Sequence, residues 1–177
     1  TIMPAPDLLE PYMPVCFAMD RIRRNHALEH ATLQVLAARQ PGIRLSGYSD
    51  LRGFWVYGEV SSEVLADAVQ SALRRLQAGE SNLAIHPHCG TNYAASGLLA
   101  GLAGWLSMLG SGSRLRDRLE RLPLVVLAAT LAFIVSQPLG LIIQKRLTTR
   151  SDPQGLYVLE VAQKAGNLPI HRVLTAN

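Results

Sequence analysis

The chain has 177 residues, a net charge of +4 and 49% hydrophobic residues. Its mean hydropathy of +0.16 is high for a wholly soluble domain, so a membrane segment is expected from the outset. Two cysteines, Cys16 and Cys89, exclude a disulfide-rich scaffold, and 17% charged residues without a long polar tract exclude extended disorder. If two spans of about twenty residues each enter a bilayer, roughly 130 residues remain for one modest soluble core.

Residues 1–16 are proline-rich and acidic, without the basic start and apolar run of a signal peptide, and read as an extended arm. Phe17 to Gln40 is helical in pattern and stops at Pro41-Gly42. Ile43 to Tyr48 and Gly53 to Val60, separated by Ser49 to Arg52, read as a β-hairpin with Trp55 and Tyr57 in its second strand. Ser61 to Glu63 caps a helix over Glu63 to Gln77, whose Val64, Leu65, Ala68, Ala72, Leu73 and Leu76 form an apolar stripe ended by Gly79. A third strand is expected at Leu83 to Ile85, and two more at Leu156 to Val161 and Ile170 to Leu174, joined through 165–169.

No charged residue lies between Glu80 and Arg114, and none between Arg121 and Lys145. Each gap holds a spanning helix, about Asn92 to Gly110 and Leu122 to Gln144. Gly97 and Gly101, four apart in the first, invite close approach of the second helix. In the second, Pro123 falls near the start, while Pro138 and Gly140 near the end favour a kink. The connector SRLRDRLER carries Leu115, Leu119 and Leu122 at helical spacing among arginines, a pattern suited to the membrane interface. Basic residues flank both ends of the spans almost equally. Arg21, Arg23 and Arg24 tip the expectation toward a cytoplasmic soluble domain. The arginines near the membrane suit anionic lipid rather than nucleic acid.

The expected fold class is therefore α+β: a small α-β-β-α-β domain over 17–91, completed by a C-terminal β-hairpin over 151–177. A transmembrane helical hairpin over 92–150 interrupts it.

The chemistry-bearing motif is Asn25-His-Ala-Leu-Glu-His30, which contains H-x-x-E-H. On a helix His26 and His30 lie one turn apart on one face, with Glu29 beside them. Two imidazoles at that spacing can take two corners of a tetrahedral zinc site, and a neighbouring carboxylate can accept a proton from metal-bound water. Met19, Ile22, Leu33 and Leu36 fall on the same side. Three ionisable groups on such a face need partners, supplied by a metal or by a buried His–Glu network with backbone carbonyls. A third ligand is expected from His86, His88 or Cys89, just before the first span, since imidazole and thiolate both favour zinc. Asn92 is the expected cap of that span, and His171 stands apart from the site.

The order of H-x-x-E-H helix, aromatic hairpin and amphipathic helix over His26 to Gln77 resembles the catalytic half-domain of pitrilysin-type zinc metallopeptidases. That resemblance implies His26 and His30 as zinc ligands and Glu29 as the base. It also implies a third ligand from a glutamate on the next helix, where this chain offers only Glu63 and Glu80, outside the family's context. The whole chain, with its HALEHAT and HPHCGTN segments before a membrane hairpin, also resembles a family of small bacterial membrane proteins of unknown function. This implies the inner membrane as location. The expected activity is that of a membrane-anchored zinc hydrolase of peptidase-like type. A non-catalytic membrane subunit using the same groups as a structural metal site or polar network, with a membrane-protein partner or a second copy, is the alternative.

Overall fold

The computed structural model describes residues 15–164 and 169–176. The expected N-terminal arm lies outside them except for Val15 and Cys16, which open the first helix, and so does most of the turn at 165–169. The fold is mixed α+β, and contacts divide it into two compact units. One runs up to Ile85 and resumes at Thr148, and the other is His86–Leu147.

In the first unit α1 (Val15–Arg39) and α2 (Ser62–Gln77) pack on one face of an antiparallel sheet of β1 (Ser46–Asp50), β2 (Gly53–Tyr57), β3 (Tyr157–Gln163) and β4 (Ile170–Ala176). The order across the sheet is β1-β2-β4-β3, so the last strand of the chain fills the centre. Leu28 and Leu36 of α1, Leu65 and Val69 of α2, and Phe54, Val56 and Val173 of the sheet are fully buried. Each such side chain contributes about 1.5–3 kcal/mol by leaving water. Ser61 caps α2 by accepting from Val64 N at 3.3 Å.

The hairpin turn is tighter than its sequence suggests. β1 continues to Asp50, only Leu51 and Arg52 make the turn, and Arg52 N donates to Asp50 Oδ1 at 2.8 Å. Gly53 follows with φ +140°, and a Cβ there would strike Val173 O of the neighbouring strand. On the outer face Arg172 Nη2 donates to Asp50 Oδ1 at 2.7 Å, and its guanidinium lies 4.8 Å from the centre of the Trp55 ring. Burial raises the Asp50 pKa, but bonds from Arg172, Arg52 N and Trp55 outweigh it and hold the carboxyl below its ordinary value.

The strand expected at Leu83 to Ile85 is a 3₁₀ turn, Ser81–Ala84. Its carbonyls bond side chains of α1 instead of a strand: Gln34 Nε2 donates to Leu83 O at 2.9 Å and Ile85 O at 2.8 Å, and Ala84 O is taken by His30. Polar groups on the helix thus replace a β-ladder here.

In the second unit α3 (Gly90–Ser107) packs along α5 (Leu122–Ile143), with α4 (Leu115–Glu120) between them in the chain; a π turn, Gln144–Thr148, follows α5 and ends at the first residue of the returning unit. Leu98, Leu102 and Leu106 of α3 and Leu127, Leu131 and Ile134 of α5 are exposed. Among the described residues one stretch, Leu115–Thr148, is long and apolar enough to cross a membrane, and only 11% of its most apolar part is buried, unlike a core helix. Two such helices were expected. α3 falls short because its first turn holds Thr91, Asn92 and Tyr93, and Gly97, Gly101 and Gly104 dilute the rest. Nor does the pair meet at Gly97 and Gly101, where a Cβ would find open space. Contact runs through Gly104, facing Val125, and Gly140, facing Asn92, with Ser136 Oγ donating to Ser96 Oγ at 2.6 Å.

His171 faces the core in register with Val56, fully buried, and neither ring nitrogen meets a hydrogen-bond partner among the described residues. Burial lowers its pKa. The unfolded chain takes up a proton here near pH 6.5 while the folded chain resists it, so stability declines as the pH falls below about 6.5. His171→Leu removes this part of the decline. Unfolding midpoints at pH 7 and pH 5 are expected to differ less in the variant than in the wild type, and an equal difference would contradict the assignment.

Candidate functional site

α1 sets His26 and His30 one turn apart, with ring centroids 4.3 Å from each other and planes at 62°. Nδ1 of each ring meets a backbone carbonyl: His26 Nδ1 lies 2.9 Å from Thr148 O, and His30 Nδ1 lies 2.8 Å from Ala84 O. A carbonyl oxygen only accepts, so Nδ1 carries the proton in both rings. In the neutral ring this makes Nε2 the lone-pair nitrogen, the arrangement by which metal-binding histidines are oriented. The two carbonyls belong to residues where the chain leaves and re-enters this unit, since Ile85 is the last residue before the break and Thr148 the first after it.

Glu29 is 4% exposed and accepts a hydrogen bond from Ser49 Oγ of β1. Its side chain lies against Gly47, where a Cβ would fall on Glu29 Oε1. That contact explains a glycine in the middle of a strand. Of the apolar residues expected beside the motif, Leu33 and Leu36 are buried and Ile22 is partly covered, whereas Met19 is 52% exposed.

His86, His88 and Cys89 belong to the second unit. His88 N donates to His86 Nδ1 at 3.2 Å, which makes that nitrogen the acceptor and puts the His86 proton on Nε2, the opposite tautomer to that of His26 and His30. The His88 side chain is exposed, 5.9 Å from His86 between ring centroids. Cys89 is partly buried at the N-cap of α3, with Sγ 3.5 Å from Thr91 Oγ1. Asn92, the expected cap, sits inside the first turn and donates to Pro87 O at 2.9 Å. Of the glutamates compared with the peptidase ligand, Glu63 is exposed in the first turn of α2 and Glu80 is bound by Arg75.

Sequence reasoning missed Gly47, Ser49 and Gln144. Only Gln144 leaves a signal, as a polar residue closing an otherwise apolar run. It is fully buried, accepts from His86 N at 2.9 Å, and donates to His86 O at 2.8 Å and Asn92 Oδ1 at 2.6 Å.

The family described as "Domain of unknown function (DUF6391)" matches residues 21–161, which span both units. The chain belongs to this family. It is also similar to an uncharacterized protein of Picosynechococcus sp., 40% identical over 165 residues that cover 86% of this chain and 78% of the relative. No solved structure matches the chain.

Gly47→Ala is expected to push the Glu29 carboxylate off β1 and to cost about 1–3 kcal/mol, as overpacking does. In a Glu29→Ala background the same substitution should cost much less, because the group it strikes is gone. A double-mutant cycle of unfolding free energies checks this, and equal costs in both backgrounds would contradict it.

Proposed function

We propose that this protein is a membrane-anchored, zinc-dependent hydrolase of peptidase-like type. In this reading His26 and His30 bind the metal, the segment before the hairpin supplies the third ligand and Glu29 is the general base. The observation that carries the reading is the pair of Nδ1 to carbonyl bonds, which present Nε2 of two adjacent imidazoles for ligation. Among the three candidate third ligands the choice falls on Cys89. His86 engages its Nδ1 within its own loop, and the His88 side chain is turned to solvent. Two imidazoles and one thiolate leave the fourth position of a tetrahedral zinc for water, the coordination of a catalytic site.

The hairpin of α3 and α5 crosses the inner membrane, with α4 at the interface against anionic lipid and the soluble unit on the cytoplasmic side. This rests on the exposed apolar residues of both helices and on the arginines of α4. The open face at Gly97 and Gly101 suits a further membrane helix, from another protein or a second copy. Hydrolysis would act on membrane-proximal substrates. A second reading, a structural metal site in a non-catalytic subunit, is favoured by the engagement of Glu29 with Ser49 and Gly47, which suits a carboxylate that fixes α1 on the sheet.

The purified chain, never exposed to chelator, should carry about one zinc per molecule by elemental analysis, and the double variant His26→Ala with His30→Ala should carry none. Glu29→Gln should keep the zinc and lose hydrolysis, because the amide preserves shape without basicity. Absence of zinc from the wild type would overturn the metal reading. Retention of both zinc and full activity in Glu29→Gln would remove Glu29 as the base.

A further inference from the structure

Resting on that metal reading, we infer that Gln144 is a positioning residue for Cys89: it locks the loop that carries the third ligand onto the end of the apolar hairpin. The loop His86 to Cys89 lies within one unit with Gln144 and Asn92, and two side chains fasten its backbone. The Gln144 amide pairs with His86 as a neighbouring strand would, accepting from His86 N at 2.9 Å and donating to His86 O at 2.8 Å. Its second N–H reaches Asn92 Oδ1 at 2.6 Å, and Asn92 in turn donates to Pro87 O at 2.9 Å. Gln144 is fully buried and Asn92 is 6% exposed.

Such a network is costly unless every member is satisfied, and here it closes on the backbone of the two residues that open the loop. Gly140 makes room for it, since a Cβ there would come within 2.7 Å of Asn92 Oδ1. The chain can then turn at Pro87 and deliver Cys89 to the start of α3 with little freedom left in between. A ligand held this way loses less entropy on binding than one on a loose loop. The bond between Ser96 and Ser136, further along the same two helices, joins the hairpin without touching the loop, which provides an internal control.

The test is cobalt(II) titration of the full chain in detergent micelles, read by the thiolate-to-cobalt charge-transfer absorption and by competition for affinity. The wild type should bind one cobalt with the thiolate band. Gln144→Leu should bind about 10–100-fold more weakly with a diminished band, the size of effect seen when the groups behind a ligand are removed. Gln144→Glu, which keeps the acceptor for His86 N–H, should recover part of the affinity and reports on the role if the leucine variant does not fold. Ser136→Ala should bind as the wild type does.

Undiminished affinity and band in Gln144→Leu would overturn the inference while leaving the metal reading intact. Equal weakening in Gln144→Leu and Ser136→Ala would overturn it in favour of general hairpin stability. A wild type that binds neither cobalt nor zinc would remove the metal reading itself.

Discussion

The two hydrogen bonds from His26 Nδ1 to Thr148 O and from His30 Nδ1 to Ala84 O orient the imidazole pair on which the rest of the site depends. They fix the tautomer of both rings and fasten α1 to Ala84 and Thr148, at the two edges of the chain break in the first unit. Backbone carbonyls at such junctions have no ladder to join, and an imidazole N–H satisfies each of them. A substitution at either histidine therefore does two things at once: it removes a candidate ligand and orphans a carbonyl. Effects on metal binding and on folding have to be measured separately for that reason.

Around this pair the rest of the first unit acts as a support. The apolar contacts of Leu28, Leu36, Phe54 and Val56 hold α1 on the sheet, while Asn25 and Glu29 set its rotation. Asn25 donates to Asp50 O at 2.8 Å and accepts from Thr175 Oγ1 at 2.7 Å, tying α1 to the hairpin turn and to β4. These polar bonds specify which side of the helix carries the histidines, something the apolar core alone leaves loosely determined.

Much of this was legible in the residues. The stop at Pro41-Gly42, the serine cap of α2 and its apolar stripe follow local rules, and their helices lie within a few residues of where those rules set them. Membership of a family of unknown function also agrees with the resemblance read from the whole chain. What the sequence hid depends on contacts distant along the chain. Leu83 to Ile85 carries strand-forming residues, yet its carbonyls are claimed by Gln34 and His30, some fifty positions earlier. Gly47 falls inside an expected strand, and nothing local shows that the Glu29 carboxylate requires a glycine there. The glycines of α3 suggested a helix seam, but the polar pairs at Asn92 with Gln144 and Ser96 with Ser136 decide where the two helices meet.

The most direct measurement is the protonation of the individual ring nitrogens, by nitrogen-15 NMR of histidine-labelled protein, with the five histidines assigned through single substitutions. In the neutral rings of His26 and His30, Nδ1 is expected to carry the proton and Nε2 to be bare, with zinc shifting the two Nε2 resonances and leaving both Nδ1 protons in place. Protonated Nε2 with bare Nδ1 in both rings, or Nε2 resonances indifferent to zinc, would contradict it.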